Sequence, residues 1–147
     1  MIKRILLTLD GSPLAEEAIP QSVQQANAHQ AELFVLRIVG PLAKSYRAGK
    51  ASLSAIETAE RELKVMAQDY LDEKAREFDA QGVHVQTAIK YGQPHEMILQ
   101  HAIKNDIDLI VMARRGESGL TRWLIGSVTD HVVRASSVPV LVVPVVK

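Results

Sequence analysis

Three arginines and three glycines share one stretch, MARRGESGLTRWLIGSVT at positions 112–129, and their types and spacing suit the holding of an anion. An apolar run, Ile107 with Leu109, Ile110, Val111 and Met112, reads as a buried strand that Gly116 and Gly119 break. Gly126 and Ser127 follow, and Asp130 three residues after Ser127 gives the form of a capping box, which predicts a helix starting at Ser127. Such a helix turns its first amides toward the loop, and helix amides beside glycine favour a phosphate. Arg114, Arg115 and Arg122 can meet phosphate oxygens with forked hydrogen bonds. The same residues also admit a plainer reading, in which Ser127 only caps, the glycines only turn and the arginines are solvated. Local pattern divides evenly between the two. The length of the connection over residues 113–126 favours phosphate, because long loops in compact domains tend to be functional.

The elements that must position this stretch follow from hydrophobic periodicity. Residues 2–9, dense in Ile and Leu, read as a buried parallel strand that stops at Asp10-Gly11-Ser12-Pro13. Ser12 suits an N-cap and Pro13 a first helical position, so a helix is expected over residues 13–29, with a kink or loosened turn at Pro20. A second strand is expected over residues 32–39, closed by Gly40-Pro41, and a loop over residues 42–50. A long amphipathic helix over residues 52–81 would bury Leu53, Ile56, Leu63, Met66, Tyr70, the Lys74 stem and Phe78, and Gly82 would end it. Then come a third strand over residues 83–89, a helix over 95–105, a fourth strand over 107–112, a helix over 127–136 and a fifth strand over 139–146. Pro144 cannot donate to a ladder, which places the fifth strand at a sheet edge.

Strands alternating with helices predict an α/β fold, a doubly wound five-stranded parallel sheet of order 3-2-1-4-5 with helices on both faces. In that order the first and fourth strands send their connections to opposite faces, and the crevice at their carboxyl ends is the expected ligand site. Asp10 ends one of these strands and the glycine-arginine stretch follows the other. With 147 residues, one domain spanning 1–147 is expected. Lys plus Arg and Asp plus Glu both number 17, which gives no sign of a nucleic-acid partner. There is no cysteine, which excludes thiolate chemistry and fits a reducing compartment. The start MIKRILLTLDG has no signal-peptide form and no apolar run reaches membrane-spanning length, so a cytoplasmic protein with no membrane partner is expected.

Enzyme readings find little support. No lysine precedes Ser127 as a Walker loop requires, and only Gly11 stands where a Rossmann fingerprint needs clustered glycines. Asp10 lacks the acidic neighbours of a phosphotransfer receiver, and Asp106 and Asp108 read as solvated. His29, His84, His95, His101 and His131 show no metal-ligand spacing, so no protein metal site is expected. No general base with a partner can be named.

Taken together, the chain resembles the universal stress protein family over its whole length. The family's adenine-nucleotide signature is Gly, two residues, Gly, nine residues, Gly, then Ser or Thr. Gly116 and Gly126-Ser127 match with the correct interval, while Ala113 stands in place of the first glycine; the reading taken is that the position accommodates the methyl group. The strand ending in Asp10-Gly11-Ser12, the Gly92-x-Pro94 turn with Ile98 and Ala102 behind it, and the ending SSVPVLVVP add to the resemblance. The resemblance implies that Thr8 and Asp10 border an adenosine, that Ile38 offers its backbone to the adenine, and that Met112 and Ala113 line the ribose and phosphate approach. It further implies that Gly116, Gly126, Ser127, Val128 and Thr129 serve the phosphates; Arg114 and Arg115, by their own chemistry, are expected as added phosphate contacts.

The function expected is an ATP-binding regulatory stress-response protein, with Mg2+ carried by the nucleotide and AMP or ADP as alternative ligands. Two other readings stay open, a nucleotide-independent homodimeric interaction module and a slow ATPase. A homodimer through the edge strand from Pro139 to Val145 is expected, because a bare valine-rich edge invites pairing.

Overall fold

The computed structural model describes residues 1–40, 49, 52–115 and 124–145. The first strand, expected to be buried, lies at the middle of the sheet. β1 (Arg4–Leu9) pairs in parallel with β2 (Glu32–Val39) on one side and β4 (Leu109–Ala113) on the other. β3 (Val85–Tyr91) and β5 (Val140–Val143) form the edges, giving the order β3-β2-β1-β4-β5. This is the expected doubly wound topology.

The two faces of the sheet carry separate cores. Ile5, Leu7, Leu33, Val35, Val111 and Ala113 pack on one face, against α1 (Pro13–Glu16), α2 (Ile19–His29) and α3 (Leu53–Ala80). Leu6, Phe34, Leu36, Ile110 and Met112 pack on the other, against α4 (Pro94–Lys104) and α5 (Ser127–Ala135). Alternate residues of each strand point to opposite faces, so an apolar run divides its side chains between two cores.

Four local expectations need correction. The helix expected over residues 13–29 is two helices, parted at Glu17 and Ala18; Pro20 falls in the first turn of α2, where its missing N–H costs no hydrogen bond. The third and fourth strands start two residues later than expected, at Val85 and Leu109. In both cases the helix ending consumes those residues. Val83 N–H donates to the Phe78 carbonyl across Gly82 (φ +76°), and Ile107 N–H donates to the Ala102 carbonyl across Asp106 (φ +51°). Both are Schellman closures, and the C″ residue cannot also begin a ladder.

Along α3 the buried residues are Ile56, Ala67, Leu71 and Phe78, whereas Leu53 and Met66 are exposed. The small Ala67 is fully buried, whereas the larger Met66 beside it is exposed. β5 is shorter than the strand expected over residues 139–146 and ends at Val143, just before Pro144. Asp108 is not merely solvated: the backbone N–H groups of Lys3 and Arg4 donate to it at 2.8 and 3.0 Å, which holds its carboxyl below its ordinary value. The loop expected over residues 42–50 lies, apart from Gly49, outside the described residues. No described helix is long and apolar enough to cross a membrane.

Candidate functional site

Two strand-to-helix turns meet at the carboxyl ends of β1 and β4. In the first, Asp10 accepts from the Ser12 backbone N–H at 2.8 Å and from the Ser12 hydroxyl, and Ser12 Oγ in turn accepts the Ala15 N–H at 3.2 Å. Gly11 sits at φ +87°, and a Cβ added there would lie 3.0 Å from the Arg37 guanidinium. That guanidinium also covers the Tyr70 ring, 4.9 Å from its centroid. The Tyr70 hydroxyl donates to Glu16 at 2.8 Å; burial first, and then this bond, push the phenol above its ordinary value. The Lys74 ammonium joins Glu16 at 2.9 Å, so α3 braces the turn from the face opposite α4. Nothing in the sequence pointed to this brace, since Arg37, Gly11, Glu16 and Tyr70 come from four separate segments.

The second turn is built on backbone. Arg114 N–H continues the ladder to the Val143 carbonyl and the Arg114 carbonyl accepts the Gly126 N–H, both at 2.8 Å. Thr129 Oγ1 donates to the Ala113 carbonyl at 3.0 Å, tying the first turn of α5 to the end of β4. Ser127 is not the cap. Gly126 occupies that place (φ −64°, ψ 151°), its carbonyl accepting the Asp130 N–H at 2.8 Å, and Ser127 is the first helical residue. The capping box does not form because Ser127 lies inside the helix and Asp130 one position too far along it; the Asp130 carboxylate instead meets Arg134 at 3.0 and 3.1 Å. The cap residue therefore gives the first-turn amides of α5 no side-chain acceptor, and none is supplied among the described residues.

Between the turns lies a cleft of about 230 Å³. Of the residues singled out in the sequence, Thr8, Asp10, Ile38, Met112, Ala113, Arg115, Gly126, Ser127, Val128 and Thr129 line it. Arg115 is buried. Arg114 does not line the cleft, and Gly116 and Arg122 lie outside the described residues. The apolar part of the wall includes Leu36 and Ile98, which sequence reasoning did not assign to the site. Leu36 was within reach, because strand alternation puts it on the same face as Ile38.

Ala113 is the position where the nucleotide signature departs from its pattern, and its side chain does not belong to the cleft face. Leu109, Val111 and Ala113 are members of the core under α1, α2 and α3, whereas Ile110 and Met112 face α4 and α5. The Ala113 methyl thus belongs to the core under α1, α2 and α3, and Ala113 borders the cleft together with Leu9 and Ala15 of that same core.

The family model described as "Universal stress protein family" matches residues 1–144. The chain belongs to that family. Universal stress protein YxiE of Bacillus subtilis is 30% identical over 151 residues, covering 97% of this chain and 99% of its own. Universal stress protein MJ0531 of Methanocaldococcus jannaschii is 32% identical, covering 97% of this chain and 82% of its own. Among solved structures, universal stress protein UspA from Lactobacillus plantarum superposes with a TM-score of 0.79 at 27% identity, covering 96% of this chain and 97% of that one. Two more distant family structures share the fold: one in complex with cAMP (TM-score 0.63, 23% identity) and one from Archaeoglobus fulgidus in complex with dAMP (0.65, 16%).

Proposed function

We propose that the cleft binds an adenine nucleotide, ATP in the first instance, and that the protein is a cytoplasmic regulatory stress protein whose ligand biases its conformation or its choice of partner. The observation that carries this reading is the start of α5, where a glycine cap leaves first-turn amides without a side-chain acceptor beside the ends of β1 and β4. The base would lie against Leu36, Ile38, Ile98 and Met112, Asp10 would meet a polar adenosine group, and Gly126, Ser127, Val128 and Thr129 would serve the phosphates. The buried Arg115 would add positive charge. Family structures that hold cAMP and dAMP support the nucleotide class.

Magnesium would ride on the phosphates, because the described residues contain no cluster of three or more acid, cysteine or histidine ligands. No residue is assigned a catalytic role, so at most slow hydrolysis is expected. The same reading pairs two copies through β5 and its flanks, from Pro139 to Val145, since this edge has a partner on one side only. Light scattering should give the dimer mass, and a monomer would remove that part of the proposal.

Calorimetric titration of nucleotide-free protein with ATP and magnesium tests the site. Saturable binding at one ATP per chain is expected, and Gly126→Val should abolish it. The variant should stay folded, because Gly126 has an extended backbone that any residue adopts. Unchanged affinity in Gly126→Val would overturn the site; a folded dimer that binds no nucleotide would favour the interaction-module reading.

A further inference from the structure

His95 and His131, which sequence spacing left unconnected, meet across the two helices whose starts border the cleft. His95 is the second residue of α4 and His131 lies one turn into α5. Their rings stack with centroids 4.5 Å apart and planes inclined by 25°. Neither lines the cleft. His131 Nδ1 stands 2.7 Å from the Ser127 carbonyl oxygen. A carbonyl only accepts, so Nδ1 donates this bond, and in the neutral ring Nε2 is the nitrogen left to accept or to ligate. Metal-binding imidazoles are held the same way: a backbone carbonyl fixes tautomer and ring orientation through one nitrogen, and the other ligates. His95 is half-buried while His131 is exposed, so one ring is held by its surroundings and the other is open to solvent. Among the described residues the histidine in contact with an acid is His84, 3.6 Å from Asp79, and Asp130 beside His131 is taken by Arg134.

We infer that His95 and His131 form a two-imidazole site for a divalent transition cation of the zinc, nickel or copper class. Two nitrogen donors suit these ions, whereas magnesium and calcium require oxygen. The described residues supply no third histidine, cysteine or acid, so water completes the coordination and the site is open and exchangeable. The rings must leave their stack to share one ion, and of the two it is His131, open to solvent, that has the freedom to turn. Once shared, the ion joins the first turn of α4 to α5.

The test is calorimetric titration of untagged, nucleotide-free protein with zinc chloride, with magnesium chloride run in parallel. One zinc per chain with no saturable magnesium heat is expected. His95→Gln and His131→Gln should each weaken zinc binding by about tenfold or more, and His84→Gln should leave it unchanged. Nitrogen-15 spectra of the wild-type rings give a readout that needs no variant: His131 should carry its proton on Nδ1, with Nε2 shifting as zinc is added. Absence of saturable zinc heat, affinity unchanged from wild type in both variants, or a His131 proton on Nε2 would each overturn the assignment and leave a stacking contact only. Nucleotide is absent throughout, so the outcome is independent of the cleft's ligand.

Discussion

The two turns that flank the cleft solve the same problem in opposite ways. After β1, the side chains of Asp10 and Ser12 satisfy the turn from within: the carboxylate takes the Ser12 amide and hydroxyl, and the hydroxyl takes the Ala15 amide. After β4, the bonds run backbone to backbone or from Thr129 to Ala113, and Gly126 gives α5 no side-chain cap. The first turn is complete without a ligand and the second is not. A helix start without a cap gives up about 1 kcal/mol or less of local stability, and leaves its amides available to an anion.

The comparison breaks most directly if the second turn is given what the first already has. Gly126→Asp places a carboxylate where a cap side chain would be, so ATP affinity should fall by tenfold or more while thermal stability rises by a few tenths of a kcal/mol. Opposite signs in calorimetry and thermal melting are the expected signature; a fall in both would mean that the α5 amides are not the anion site. The next effect lies in the first turn. Ser12→Ala should cost about 1 kcal/mol of stability in denaturant titration, with a smaller change in ATP affinity, because this turn supports the site without holding phosphate.

The smallest effect is expected at Ala113. Ala113→Gly restores the signature glycine, yet should change ATP affinity by less than about threefold while lowering stability by roughly 0.5–1 kcal/mol, as a glycine inside a strand does. A tenfold gain in affinity would show that the methyl reaches the ligand after all, against its place in the opposite core.

Much of the fold was legible because the strands are strongly apolar and the helix caps sit where their chemistry demands. The order 3-2-1-4-5, the Ser12 cap, the Gly82 ending and the edge position of the last strand all follow from local rules. Errors arose where one residue had two uses. Val83 and Ile107 look like strand residues but close the preceding helices, and Asp130 looks like a capping partner but pairs with Arg134. On α3, large hydrophobes drew the stripe toward Met66, whereas the buried residue at that turn is the small Ala67.

The candidate site divides along the same line. Residues borne on strand ends and on the helix start were found, because their positions follow from the topology. The Arg37 guanidinium beneath Gly11 and the stacking of His95 on His131 left no trace, since such pairs come together only through tertiary packing.

The hydrogen bond from Gly126 to Arg114 bears on how the sequence can change over time. It joins the two ends of the connection between β4 and α5, so the chain between them leaves and returns at one fixed point. Closing a longer excursion costs only about 0.6 kcal/mol for each doubling of its length. A change in the length of this connection therefore carries little thermodynamic cost, while the β4 end and the first turn of α5 keep their places. Variation concentrated there would let descendants of one fold answer different signals with the same cleft.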